Sequence, residues 1–67
     1  MSNISPDAYG YLPGRGTKTL RAHVSEIMGW PDRAKYLAAI YWDGDPPILE
    51  YGQIQELAQR ADFRPVP

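Results

Sequence analysis

The chain has no cysteine and a single histidine among its 67 residues. The first absence excludes disulfides. Together they exclude a zinc cage built from thiolates and imidazoles. Length is also scarce: there is enough chain for one domain and no more. A core of this size supplies about 3–5 kcal/mol, so without a staple the fold depends on tight packing, self-association or a partner. No apolar run reaches the roughly 18 residues of a membrane span. The opening Met-Ser-Asn-Ile-Ser-Pro lacks the basic and apolar regions of a secretion signal, so a cytoplasmic protein is the expectation. Excess charge is missing too. The net value of −1 favours neither a strong nucleic-acid binder nor an acidic DNA mimic.

Aromatic rings are abundant for this length: two Trp, five Tyr and one Phe, a large apolar area for a small fold to hide. The charges are unevenly placed. Lys18, Arg21, Arg33 and Lys35 outnumber Glu26 and Asp32 in residues 17–41, whereas Asp43, Asp45, Glu50, Glu56 and Asp62 outnumber Arg60 and Arg64 beyond them.

Residues 1–16 read as a flexible or extended N-terminal arm. Pro6, Gly10, Pro13, Gly14 and Gly16 interrupt any period, while Tyr9, Tyr11 and Leu12 are costly to leave wet. Residues 17–63 predict a mainly α, compact three-helix domain. In the first helix, Thr17 can serve as N-cap, Leu20, Val24, Ile27 and Met28 share one face, and Gly29 suits a left-handed stop. The second starts at Pro31, with Asp32 at the positive end of its dipole, and runs through Ala34, Leu37, Ala38 and Tyr41 to Trp42. Asp43-Gly44 then stops it, with Gly44 left-handed. The third carries Ile54, Leu57, Ala58 and Ala61, starts near residues 50–52, and is followed by Phe63 folding back onto the core. Residues 64–67 form a C-terminal tail. The alternative for "IYWDGDPPILEY" is α+β: a short hairpin at 40–50, pairing residues 40–42 with 48–50 across a five-residue loop.

Chemistry finds little to build on. A nucleophilic triad needs a base and an orienting group. The lone imidazole, His23, lies off the Leu20–Val24–Ile27 stripe and is expected at a solvated or boundary position. Asp43, Asp45 and Glu50 fit loop solvation and helix capping. The three glycines at 10, 14 and 16 lack the Gly-Lys-Ser/Thr ending of a phosphate loop. The expectation is no enzyme, no catalytic residue, no metal and no cofactor.

Two binding classes remain. "VSEIMGWPDRAKYLAAI", followed by "DGDPPIL" as a wing, resembles the helix-turn-helix of phage excisionases and small prophage regulators. That resemblance implies Arg33 and Lys35 in a duplex groove and Arg15, Lys18 and Arg21 on backbone phosphate. The sequence departs from the pattern by placing Lys35 where an aliphatic residue is buried, and Asp43 and Asp45 in the wing. The preferred expectation is a small protein-binding module, a regulator or inhibitor of a larger protein of the phage or mobile-element accessory type. Tyr11, Trp30, Tyr36, Tyr41 and Trp42 would be its anchors, since Tyr, Trp and Arg dominate such contacts. Leu37, Ile40, Leu57 and Trp30 are expected to pack in the core. A homodimer burying Trp42 is a further alternative.

Overall fold

The chain folds as an α+β domain, seen in a computed structural model that describes residues 4–64. Four antiparallel strands form one sheet: β1 (Tyr9–Leu12), β2 (Gly16–Thr19), β3 (Ala39–Trp42) and β4 (Ile48–Glu50), in the order β2-β1-β3-β4. Helices α1 (Leu20–Met28) and α3 (Tyr51–Ala58) lie on one face, with α2 (Asp32–Lys35) between α1 and β3, and a 3-10 turn at Ala61–Phe63. The mainly α, three-helix expectation is therefore overturned by the sheet. Residues 65–67, most of the anticipated tail, lie outside the described residues.

The N-terminal segment is a strand hairpin because of its punctuation. Pro13 fixes φ and Gly14 turns at φ 81°, the pairing a type II turn requires, and Arg15 N–H donates to the Leu12 carbonyl at 2.8 Å. Gly16, at φ 84°, brings the chain into β2. Register pairs Tyr9 with Thr19 and Tyr11 with Thr17. The supposed arm thus supplies an interior strand, flanked by β2 and β3.

Helix α1 keeps its anticipated stripe but begins later. Thr19, not Thr17, is the N-cap, its hydroxyl accepting from Ala22 N–H at 3.2 Å. Thr17 is committed to β2. Gly29 ends the helix in right-handed geometry, at φ −89°, so no left-handed stop is used.

The long second helix does not form. Helix α2 is one turn of four residues, and the chain then extends into β3. Tyr, Ile and Trp suit a pleated surface better than their helical spacing suggested. Beyond them is the hairpin: Ile40 opposes Leu49, Tyr41 opposes Ile48, and Trp42 N–H donates to the Pro47 carbonyl at 3.0 Å. Its loop is closed by the Trp42 indole, whose Nε1–H donates to the Pro46 carbonyl at 2.6 Å. Gly44 lies under that ring, where a Cβ would collide with it, and its φ is not positive. Close approach, rather than left-handed geometry, is what requires glycine there.

The core lies between sheet and helices. Leu12, Ile40 and Leu49 point inward from the strands to meet Leu20, Val24 and Ile27 of α1, Ile54 and Leu57 of α3, and Ile4 and Phe63 from the ends. Phe63 folds back as anticipated, whereas Ala61 is exposed. Beside it Arg60 donates to Asp62 at 2.6 Å, and this hydrogen bond holds the exposed Asp62 carboxyl below its ordinary range. No helix among the described residues is long and apolar enough to cross a membrane.

Candidate functional site

Side chains alternate across a strand, so one face of the sheet is committed to the core and the other is not. On the second face the register aligns Thr17, Tyr11, Tyr41 and Ile48 in a row across all four strands. Tyr9 and Thr19 flank it on one side, and Ala39 and Glu50 on the other. Tyr11 is 49% and Tyr41 45% exposed, and Tyr9 and Ile48 are also open to solvent. Both long helices pack on the opposite face, and no described element covers this one.

At the β3 entrance the turn after α2 projects two further apolar side chains. Tyr36 is 70% and Leu37 86% exposed. Leu37 stands between two open clefts. One runs to Leu12, Pro13, Trp30 and Tyr41, and the other to Tyr36, Glu50 and Tyr51. The Tyr36 ring meets Tyr51 edge-on at 5.2 Å, which fixes one wall of the second cleft.

Of the five aromatic residues proposed as anchors, Tyr11, Tyr36 and Tyr41 are at the surface, with Tyr11 and Tyr41 adjacent across strands. Trp30 and Trp42 are half-buried and packed against the core. Arg15 covers Trp30, its guanidinium carbon 5.7 Å from the ring centre, and Trp42 is held by its loop. Leu37 is the reverse case, expected inside and found almost wholly outside. Ile48 was not singled out, and Tyr9 only as a ring costly to leave wet. Period-two alternation would have exposed them once residues 9–12 and 48–50 were recognised as strands.

The basic residues do not converge. Arg15 pairs with Glu26 at 3.0 Å and Lys18 approaches the same carboxylate at 4.0 Å. Arg21 donates to Asp7 at 2.8 Å and to the Asp62 carbonyl at 3.2 Å. Lys35 lies 3.9 Å from Asp32. Arg33 alone of the five has no ion-pair partner among the described residues. The second helix of the helix-turn-helix resemblance is a single turn, while its wing coincides with the acidic β3–β4 loop.

His23 is fully buried rather than solvated, because it falls between Leu20 and Ile27 on the inner face of α1. Its Nε2 is 2.9 Å from the Gly10 carbonyl oxygen, which can only accept, so Nε2 carries the hydrogen. Nδ1 is buried with no hydrogen-bond partner among the described residues. The imidazole thereby ties α1 to β1, and no hydroxyl among the described residues hydrogen-bonds to its ring. Truncation by His23→Ala removes this bond and leaves a cavity, with an expected loss of about 2–4 kcal/mol in urea unfolding. An unchanged midpoint would deny the tie. No group of three or more His, Cys, Asp or Glu side chains among the described residues is placed to hold a metal ion.

No family model matches the chain, and neither curated proteins nor solved structures give a match.

Proposed function

We propose that this chain is a non-enzymatic, cytoplasmic protein-binding module that regulates or inhibits a larger protein, as small phage and mobile-element accessory proteins do. Leu37 and Tyr36 are its anchor. The supporting observation is that the most exposed large apolar side chain, Leu37, stands between two clefts rather than alone on a flat surface. A projecting apolar residue with clefts beside it can enter a pocket on a partner while the clefts accept the partner's rim. The absence of cysteine suits a reducing compartment.

Leu37→Asp tests the anchor. Because the side chain is so exposed, stability should stay within about 0.5 kcal/mol of wild type. Affinity capture from cell extract should retain a defined protein on wild type and lose it on the variant. With that protein purified, calorimetry should show a loss of about tenfold or more in affinity. Equal capture by both chains would remove Leu37 from the site.

A further inference from the structure

The cleft between Tyr36, Glu50 and Tyr51 has chemistry that an apolar anchor leaves unused. On the reading of Leu37 as a protein-binding anchor, on which this step rests, we infer that the cleft seats a guanidinium group: an arginine that the partner presents beside the pocket receiving Leu37.

Three observations lead there. First, the cleft holds an unmatched negative charge. Glu50 lines it, and this exposed carboxylate has no ion-pair partner among the described residues. Although Glu50 stands at the N-cap position of α3, its side chain makes no capping hydrogen bond. Second, the walls are aromatic. Tyr36 and Tyr51 meet at 77° with ring centroids 5.2 Å apart, so their faces form a near-right-angled corner. Such faces carry negative potential and attract cations. Elsewhere the chain covers ring faces with its own arginines: Arg15 lies 5.7 Å from the Trp30 centroid and Arg60 lies 5.1 Å from that of Phe63. No cation among the described residues covers Tyr36 or Tyr51. Third, there is room. Gly52 lines the cleft, and a Cβ added there would meet nothing within 4 Å. At about 410 Å³ the cleft is within the range of small-ligand sites.

A guanidinium suits these features together. It is planar and can lie flat on one ring while two of its N–H groups donate to the two oxygens of one carboxylate. An ammonium meets the charge but does not stack flat, and a neutral side chain does not meet the charge. An anionic ligand, nucleic acid included, would face Glu50 with no cation lining the cleft to offset it. Arginine is also enriched among the residues that dominate protein interfaces. Its seat adjoins the projecting Leu37, so one docking event would engage both.

The test is titration of the full chain with acetyl-Gly-Arg-Gly-amide, followed by amide chemical shifts. Two matched peptides replace arginine by citrulline, its uncharged isostere, or by trimethyl-lysine. The arginine peptide should shift residues 36 and 50–52 and saturate in the millimolar range expected of a single side chain. The citrulline peptide should bind about tenfold or more weakly. Glu50→Gln should cost the arginine peptide about tenfold as well and flatten its salt dependence. Tyr36→Leu should weaken it by a smaller factor. Shifts confined to other residues, citrulline binding equal to arginine, or no shift up to the solubility limit of the peptide would each overturn the seat. So would a Glu50→Gln chain that binds like wild type, or tighter binding of the trimethyl-lysine peptide. The citrulline comparison needs only wild type, so it decides even where a variant fails to fold. Peptide binding is read on the isolated chain, whereas the anchor is read by capture of a protein on Leu37→Asp, so each can fail without the other.

Discussion

A chain shortened to residues 17–67 is expected to be unfolded. The composition of residues 1–16, rich in glycine and proline, suggests a dispensable arm, but the structure puts its strand in the sheet interior. Removing β1 deprives β2 and β3 of their shared neighbour. It also deletes Ile4 and Leu12 from the core and takes away the Gly10 carbonyl that His23 engages. With about 3–5 kcal/mol available to a domain of this size, no margin covers such losses. Far-ultraviolet circular dichroism and amide shift dispersion would settle the matter. Cooperative unfolding by the shortened chain would show that the sheet tolerates loss of an interior strand, contrary to this account.

Gly10→Ala is expected to destabilise the fold although it adds a single methyl. Gly10 sits at an inward position of β1, where a Cβ would come within 2.7 Å of Leu20 Cδ2 and 2.8 Å of Ile40 Cγ2. Both side chains are fully buried, so neither can swing into solvent. The Tyr41 carbonyl closes the third side at 3.2 Å. Overpacking of this kind costs about 1–3 kcal/mol, and Gly10→Val adds bulk to the same gap. The φ of Gly10 is not positive, so the penalty is one of packing and not of backbone geometry. Urea unfolding would measure it. A midpoint equal to wild type would mean that Leu20 and Ile40 can retreat without cost.

These positions also explain how far the sequence could be read. Helix α1 was legible because its inward residues are large and aliphatic and recur at helical spacing. Ile54 and Leu57 made α3 legible for the same reason. Strand β1 was hidden because its two inward positions hold Gly10 and Leu12 while its outward ones hold Tyr9 and Tyr11. Apolar rings outside and a glycine inside erase the alternation that announces a strand. Strand β3 was hidden in the same way: Ile40 and Trp42 face the core, Tyr41 faces solvent, and the run is apolar throughout. Three nearby alanines then tilted the balance toward helix. The hairpin alternative for residues 40–50 places both strands, but the observed ladder pairs residues 39–41, not 40–42, with 48–50. Pro46 and Pro47 lie in the loop and break no ladder bond.

The candidate surface was partly legible. Tyr11, Tyr36 and Tyr41 could be suspected from the sheer number of rings. Leu37 could not, because nothing local distinguishes a leucine in a turn from one in a helix when every neighbour is apolar. Trp30 and Trp42 had the right chemistry for an interface but are held by Arg15 and Pro46 respectively.

Those two indoles have a practical consequence. Trp30 borders Leu12 and Ala39 at the start of β3, and Trp42 lies at its far end, bonded to Pro46. The domain therefore contains two fluorophores in different surroundings at opposite ends of one strand. With either one replaced by phenylalanine, emission from the other would time the closing of its own end as the chain folds, with no added dye.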